Sequence, residues 1–198
     1  LRSKYVVFVV SREYCLRYKI QDPQLLLNEW ETCIKDDFFG WMGLVENASD
    51  PIDESPKLPI RIVFDIQLSV GYGHNGNPIV VTNDDYWFKA STDISWIRST
   101  NSWGTIHEIG HNMQMGTWSW ATLGETTNNL FNFKLAQRNE RSGYPNAWPA
   151  KHPAVQDFSD VLAFAASSSA KNFDGADPAI NSPFKRMVPF LQIFDFVK

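Results

Sequence analysis

The pentapeptide His107-Glu-Ile-Gly-His111 sets two imidazoles four residues apart, with a carboxylate beside the first. Residues four apart share one side of a helix, so His107 and His111 can turn both rings toward one ion. Glu108 is then offset from the ion but within reach of water bound to it. The chemistry on offer is hydrolysis. The metal acidifies a water and polarises a carbonyl, and the carboxylate moves the proton. On the same helical projection Ile106, Ile109, Gly110 and Met113 fall on one side, and His107, His111 and Gln114 on the other. The apolar side anchors the helix while the histidines look into a cleft. Gly110 is a poor helix former, which implies close packing there. Taken alone, the pentapeptide is equally compatible with a helix carrying two unrelated histidines.

A third ligand decides more. The metzincin pattern places Gly and His where this chain has Gln114 and Thr117, so that class is excluded. Catalytic zinc then takes a carboxylate in a His2Glu arrangement. "GETTNN" supplies Glu125, fourteen positions after His111. "MGTW" can end the first helix and "TLGE" can start a second, with Glu125 in its first turn. Asn128, Asn129 and Asn132 share a helix face with Glu125, so an Asn there can orient Glu125 or hydrogen-bond a ligating imidazole. The other reading of Glu125 is an acid favoured by a helix N-terminus.

These residues need elements to hold them. "YVVFVV" reads as a buried strand, and "IRIVFDIQL" and "IVVT" as two more. "DPQLLLNEWETCIKDDFFGWMG" carries Leu26, Trp30, Cys33, Ile34, Phe38 and Trp41 at helical spacing, with Pro23 at its start. "NASDPIDESPKLP" is a polar, Pro-rich loop and "GYGHNGNP" a glycine-rich turn. Beyond them the pattern is helical: around His107, after Glu125, across "VQDFSDVLAFAASS" and across "PFKRMVPFLQIFDFVK". A strand-rich first part with a small sheet and a mostly helical second part argue an α+β fold. The expectation is one catalytic domain over residues 1–198, excerpted from a longer chain that continues past Lys198.

Composition narrows the partners. With 18 basic and 22 acidic residues the formal charge is −4 and the charges are scattered, so nothing draws the chain to nucleic acid. The apolar runs are too short to insert in a membrane. The chain begins at Leu1 with neither an initiator Met nor a signal peptide, the mark of a processed or excised start. Cys15 and Cys33 can pair or remain two thiols, and a cysteine metal site is not available. "NAS" at Asn47 fits the glycosylation pattern, a match that chance also produces. The chain holds 8 Trp, 6 Tyr and 14 Phe, many of which must fill the core. Trp87, Trp96, Trp118 and Trp120 stand among polar neighbours, where each either packs in the ordinary way or offers a flat face to a sugar ring.

"WGTIHEIGHNMQ" followed by "W…GETTNNLF" resembles the enhancin-like, mucin-degrading zinc metallopeptidases. Trp103, Gly104, His107, Glu108, Gly110, His111, Asn112, Gln114, Trp120, Glu125, Thr127, Asn128, Asn129, Leu130 and Phe131 match the pattern of that family. The close match runs from about Trp103 to Phe133. The resemblance implies a gluzincin-type, zincin-like catalytic domain with Zn2+ on His107, His111 and Glu125. It also implies secretion or surface display, appended carbohydrate-binding or immunoglobulin-like modules, and glycoprotein substrates with mucin-type O-glycans. Some relatives in that family have lost catalytic residues and act as channel-associated or binding proteins, whereas this chain keeps all four.

The resulting expectation is a peptidase in which Glu108 is the general base and Asn129 and Asn128 support the ligands. Trp118 and Trp120, with Tyr72 and His74, are the candidates for substrate contact. Tyr72, His74, Tyr86 and His152 are candidates to steady the oxyanion. The alternatives are a non-catalytic glycan- or protein-binding module on the same scaffold, or a zinc hydrolase acting on another bond.

Overall fold

Val6, Phe8, Ile60, Ile62, Ile79 and Val81 alternate with less buried neighbours, and all six lie in the core. That alternation builds one sheet with a buried face. The computed structural model describes residues 1–144 and 158–196. Its strands are β1 (Val6–Val9), β2 (Ile60–Asp65), β3 (Gly73–His74) and β4 (Ile79–Thr82), in the order β1-β2-β4-β3. β1, β2 and β4 are parallel, with Val6 opposite Ile60 and Ile62 opposite Ile79. β3 pairs antiparallel with β4, Gly73 opposite Val81, and forms an edge of the sheet.

Helices link β1 to β2, as a parallel pair requires. They are α1 (Arg12–Tyr18), α2 (Pro23–Thr32) and a π-helical continuation, Cys33–Gly40. The Asp22 carboxylate accepts the Leu25 N–H at 2.9 Å and Pro23 opens α2. The expected single amphipathic helix changes pitch at Cys33. A π-helix aligns residues five apart, so Phe39 joins Ile34 and Phe38 in the core. The turn also buries Asp37, which receives Arg138 Nε at 2.6 Å, while Arg138 Nη1 reaches Glu29 at 3.2 Å. Burial pushes the Asp37 carboxyl up to about 6, against the pull of Arg138.

After the sheet come α3 (Asp85–Thr92), α4 (Ile94–Ile97), α5 (Trp103–Met113), a 3-10 turn (Ala121–Leu123), α6 (Gly124–Thr127) and α7 (Leu130–Arg141). α8 (Ser159–Ala166) and α9 (Pro183–Phe196) complete the described chain. Ile106 and Ile109 of α5 enter the core that holds the strands, Trp30 and Phe131. Phe38 and Phe131 stack at 4.5 Å between centroids, which fastens the π-helix to α7. A second cluster joins Trp103, Leu130, Phe133 and Met187, and so draws α5, α7 and α9 together.

The α+β expectation holds, with every described strand before residue 83. Two strand boundaries differ from the sequence pattern, and α1, α3 and α4 are helices it did not mark. β2 stops at Asp65, whose carboxylate turns back to the Gln67 N–H at 3.0 Å and leaves Ile66 exposed. The glycine-rich turn contains β3, whose residues carry no strand propensity and are ordered by pairing with β4. Cys15 and Cys33 are both free thiols. Among the described residues no helix is long and apolar enough to cross a membrane.

Candidate metal centre

α5 sets His107 and His111 one turn apart, and α6 brings Glu125 to them. His107 Nε2 and His111 Nε2 are 3.2 Å apart. Glu125 Oε2 lies 3.2 Å from the first and 3.4 Å from the second. Ligands about 2.0–2.1 Å from a tetrahedral zinc stand roughly 3.3–3.4 Å from each other. The three spacings therefore fit one face of a zinc tetrahedron. It is the one metal-sized cluster of His, Cys, Asp and Glu among the described residues. The Glu125 side chain is 62% exposed against 21% for His107, so the cluster is reached from solvent on the Glu125 side.

The helices meet this way because Gly110 has no side chain. A Cβ there would stand 2.2 Å from the Asn128 carbonyl oxygen. The close packing implied by a glycine in an active helix is thus contact with the backbone that follows Glu125.

Two amides complete the centre. His107 Nδ1 is 2.9 Å from Asn129 Oδ1, and Asn129 Nδ2 donates to the Glu125 carbonyl at 2.9 Å. His111 Nδ1 is 2.9 Å from Gln114 Oε1, and Gln114 Nε2 donates to the Gly124 carbonyl and to Thr127 Oγ1, both at 2.7 Å. Those donations fix which end of each amide faces its histidine. Each amide oxygen must then accept, so these two bonds place a proton on Nδ1 of each ring and leave Nε2 as the nitrogen that would face an ion after giving up its own proton. Asn128, fully buried, places its Nδ2 3.0 Å from His107 Nδ1 and from His111 Nε2.

The charges follow from these contacts. Hydrogen bonds from His107 and His111 hold the Glu125 carboxyl far below the usual carboxylate range. Burial works against a charged His111, but hydrogen bonds to Glu125 and Gln114 outweigh it and raise the ring. Burial pushes the Glu108 carboxyl up, opposed by His107 and His111. Raising a carboxylate toward neutrality makes it a better base at physiological pH.

Beside Glu108 and His107 lies a cavity of about 600 Å³, walled by Tyr72, Tyr86, Trp87, Trp103 and Phe184. Trp87 is wedged between two glycines. A Cβ on Gly73 would come within 2.8 Å of its ring, and one on Gly104 within 2.7 Å. Asn112 clamps the β3–β4 loop to α5: it accepts the Gly76 N–H at 2.9 Å and donates to the Gly76 carbonyl at 2.8 Å. Together the wedge and the clamp hold β3 alongside the metal ligands.

The sequence-predicted residues sort clearly. His107, Glu108, His111, Glu125, Asn128 and Asn129 converge. Tyr72, 78% exposed, and Tyr86 line the cavity, and the Tyr86 hydroxyl accepts the Gly104 N–H at 3.2 Å. His74 sits on β3, close enough to favour the charged form of Glu108, with Nδ1 3.0 Å from the Asn75 carbonyl. Trp118 packs its ring edge-on against Phe131, and Trp120 is exposed, but neither lines the cavity. His152 lies outside the described residues. Sequence reasoning gave no role to Gln114, Asn112 or the Trp87 wedge. The signal for Gln114 was its place three residues after His111, and for the wedge the small residues Gly73 and Gly104.

The profile of a peptidase family described as "Peptidase M60, enhancin and enhancin-like" matches residues 1–192. A TRPM8 channel-associated factor homolog from Xenopus laevis is 33% identical over 99 residues, 50% of this chain and 10% of that protein. A conserved protein of unknown function from Bacillus anthracis shares the fold with a TM-score of 0.72 at 18% identity, over 97% of this chain and 36% of that one. The IMPa metallopeptidase of Pseudomonas aeruginosa does so at 0.64 and 21%, over 99% of this chain and 24% of that one. The same enzyme in complex with an O-glycopeptide gives 0.67 at 19%. The chain thus spans about a tenth of the curated relative and a quarter to a third of the solved chains.

Proposed function

The chain belongs to the peptidase M60, enhancin and enhancin-like family, and from that premise we propose that it is a zinc-dependent endopeptidase acting on proteins that carry mucin-type O-glycans. One observation carries the reading: two Nε2 atoms and one carboxylate oxygen at the spacing of a zinc tetrahedron, with the buried Glu108 beside them. Zinc held there supplies Lewis acidity, which acidifies water and polarises a carbonyl.

The chain's own residues do the rest. Asn129 and Gln114 keep both imidazoles in the ligating tautomer. Glu108 takes the proton of the attacking water and passes it to the leaving amine. The free edge of β3 offers backbone groups to an extended peptide, which sets the scissile bond against Glu108. Tyr72 and Tyr86 share the cavity with Glu108 and supply the donor for the oxyanion.

The substrate class draws support from the likeness to a peptidase solved with an O-glycopeptide and from the aromatic lining of the cavity. Secretion or surface display, and further carbohydrate-binding or immunoglobulin-like modules in the whole protein, belong to the same proposal.

A second reading has one observation in its favour: relatives matched in sequence are named as channel-associated factors. On that reading the scaffold binds a glycan or a protein without cutting it. Glu108 weighs against it, since a binding site needs no base beside the first ligand. The deciding experiment incubates a mucin-type glycoprotein with the zinc-loaded chain and with Glu108→Gln, and reads new peptide termini by mass spectrometry. New termini next to glycosylated Ser or Thr, lost in Glu108→Gln while zinc content holds, are expected. Equal cleavage by both proteins removes Glu108 as the base, and binding without cleavage by either favours the second reading.

A further inference from the structure

Trp87 is held between two stretches of bare backbone. A Cβ on Gly73 would stand 2.8 Å from its Cη2 atom, and one on Gly104 would stand 2.7 Å from the same atom. The six-membered part of the indole is therefore sandwiched between β3 and the first turn of α5. The ring is buried, and its helix is fixed where the Asp84 carboxylate accepts the Trp87 N–H at 2.9 Å. The Tyr86 hydroxyl accepts the Gly104 N–H and ties α3 to α5 beside the ring. On each side the ring meets main chain, which cannot turn aside as a side chain can. The ring thus sets the distance from strand to helix.

That distance reaches the chemistry. Gly104 and Glu108 are one turn apart on α5 and share a face. A Cβ on Gly73 would also stand 3.3 Å from Glu108 Oε1, so the backbone of β3 lies beside that carboxylate. Gly73 is opposite Val81, and the Thr82 N–H goes to the Tyr72 carbonyl at 2.9 Å. In an antiparallel ladder this makes Gly73 and Val81 a non-hydrogen-bonded pair, with the N–H and C=O of Gly73 turned from β4 toward the free edge. The metal ligands are held from elsewhere: the rings of His107 and His111 meet Asn128, Asn129 and Gln114.

We propose that Trp87 is a positioning residue: its ring spaces β3 from α5 so that a peptide anchored on Gly73 meets Glu108 and the metal centre together. The inference rests on the peptidase reading, but the spacing itself is read by binding. Trp87→Phe removes the outer ring atoms that touch both glycines and keeps an aromatic side chain in the core. Gly104→Ala perturbs the same gap from the other side, by pressing a methyl group against the ring. In the double variant the methyl group takes up space that the shorter side chain vacates, so the two changes offset each other.

The test uses the zinc-loaded chain and two hydroxamates, which chelate zinc. Acetohydroxamate reaches the ion alone, whereas a tripeptidyl hydroxamate with an O-glycosylated Thr is long enough to lie along β3. The unmutated chain is expected to prefer the tripeptidyl probe. That preference is expected to fall about tenfold in Trp87→Phe and in Gly104→Ala, since a small misplacement of anchored groups costs this much or more, and to recover in the double variant. Affinity for acetohydroxamate, and for zinc by chelator competition, is expected to hold throughout. In parallel, kcat on an O-glycopeptide is expected to fall as the preference does while KM holds, the mark of an interaction made only when chemistry proceeds. No preference in the unmutated chain, a preference or a kcat that both single variants leave unchanged, equal loss of the two probes, or weakened zinc binding overturns the proposal. Loss without recovery in the double variant overturns it too, because general damage to packing does not cancel. The expected binding pattern without cleavage by the unmutated chain leaves the spacing role standing and removes the peptidase reading alone.

Discussion

The α-carbon of Gly110 faces the carbonyl of Asn128 so closely that a methyl group there would stand 2.2 Å from the oxygen. This contact sets how near the helix of His107 and His111 comes to the segment of Glu125.

Gly110→Ala therefore tests the centre directly. Alanine improves helix propensity by about 1 kcal/mol. The clash is with backbone, which cannot turn aside as a side chain can, and overpacking of this kind costs about 3 kcal/mol. The clash wins. The variant is expected to unfold at lower denaturant concentration and to bind zinc weakly, measured by urea titration and by competition with a chelator. Unchanged zinc affinity would show that α5 and α6 are held together by something other than this contact.

The two amides should matter for the metal before they matter for catalysis. Gln114→Met removes the acceptor for His111 and the donors to Gly124 and Thr127. Loss of such supporting partners weakens metal binding by about 10- to 100-fold. Gln114→Glu keeps an acceptor for His111 but loses the donor to Gly124, so an intermediate loss is expected. Chelator competition reads both, and equal affinities across the set would remove the amide from the account.

Zinc binding should strengthen with pH. The ion needs neutral imidazoles, and His111 holds its proton more tightly than a free imidazole does. Apparent affinity is thus expected to climb as pH rises through roughly 6 to 8, with proton release on binding. Calorimetry in two buffers of different ionisation enthalpy measures the protons released. A flat affinity over that interval would contradict the assignment of His111 as a ligand.

Away from the cleft, Arg138 spans the buried carboxylates of Asp37 and Glu29. Replacing it with Met strands Asp37, while Glu29 keeps Arg98, and breaking a buried pair in this way costs about 3–5 kcal/mol. Asp37 itself makes a pH signature. Its folded pKa, about 6, stands above the ordinary 3.8, so the native state binds that proton more tightly than the unfolded chain. The contribution is fully present below about pH 4 and is lost as pH rises toward 6. Urea titrations from pH 4 to 7 should show this decline in the unmutated chain and its absence in Asp37→Asn. Parallel curves would place the titration elsewhere.

The sequence by itself determined the candidate ligands. His107, Glu108 and His111 lie within one helix, where spacing alone fixes which side chains share a face. Glu125 was legible because it falls in the first turn of the next helix, with Asn129 one turn beyond it. The strands at Val6, Ile60 and Ile79 were legible for a similar reason, since alternation is a local property.

What spacing could not reach is anything set by two segments meeting. β3 has no strand propensity of its own and is made by pairing with β4. Phe39 and Asp37 are buried because the helix widens to satisfy contacts with α7, a demand invisible along α2 itself. Gln114 supports His111 because its other end finds the Gly124 carbonyl ten residues on. The aromatic cavity gathers Tyr72, Tyr86, Trp103 and Phe184 from four separate stretches of chain. Local geometry is written in periodicity, but distances between segments are decided by packing, and in this chain by whether a glycine leaves room for a neighbour's backbone.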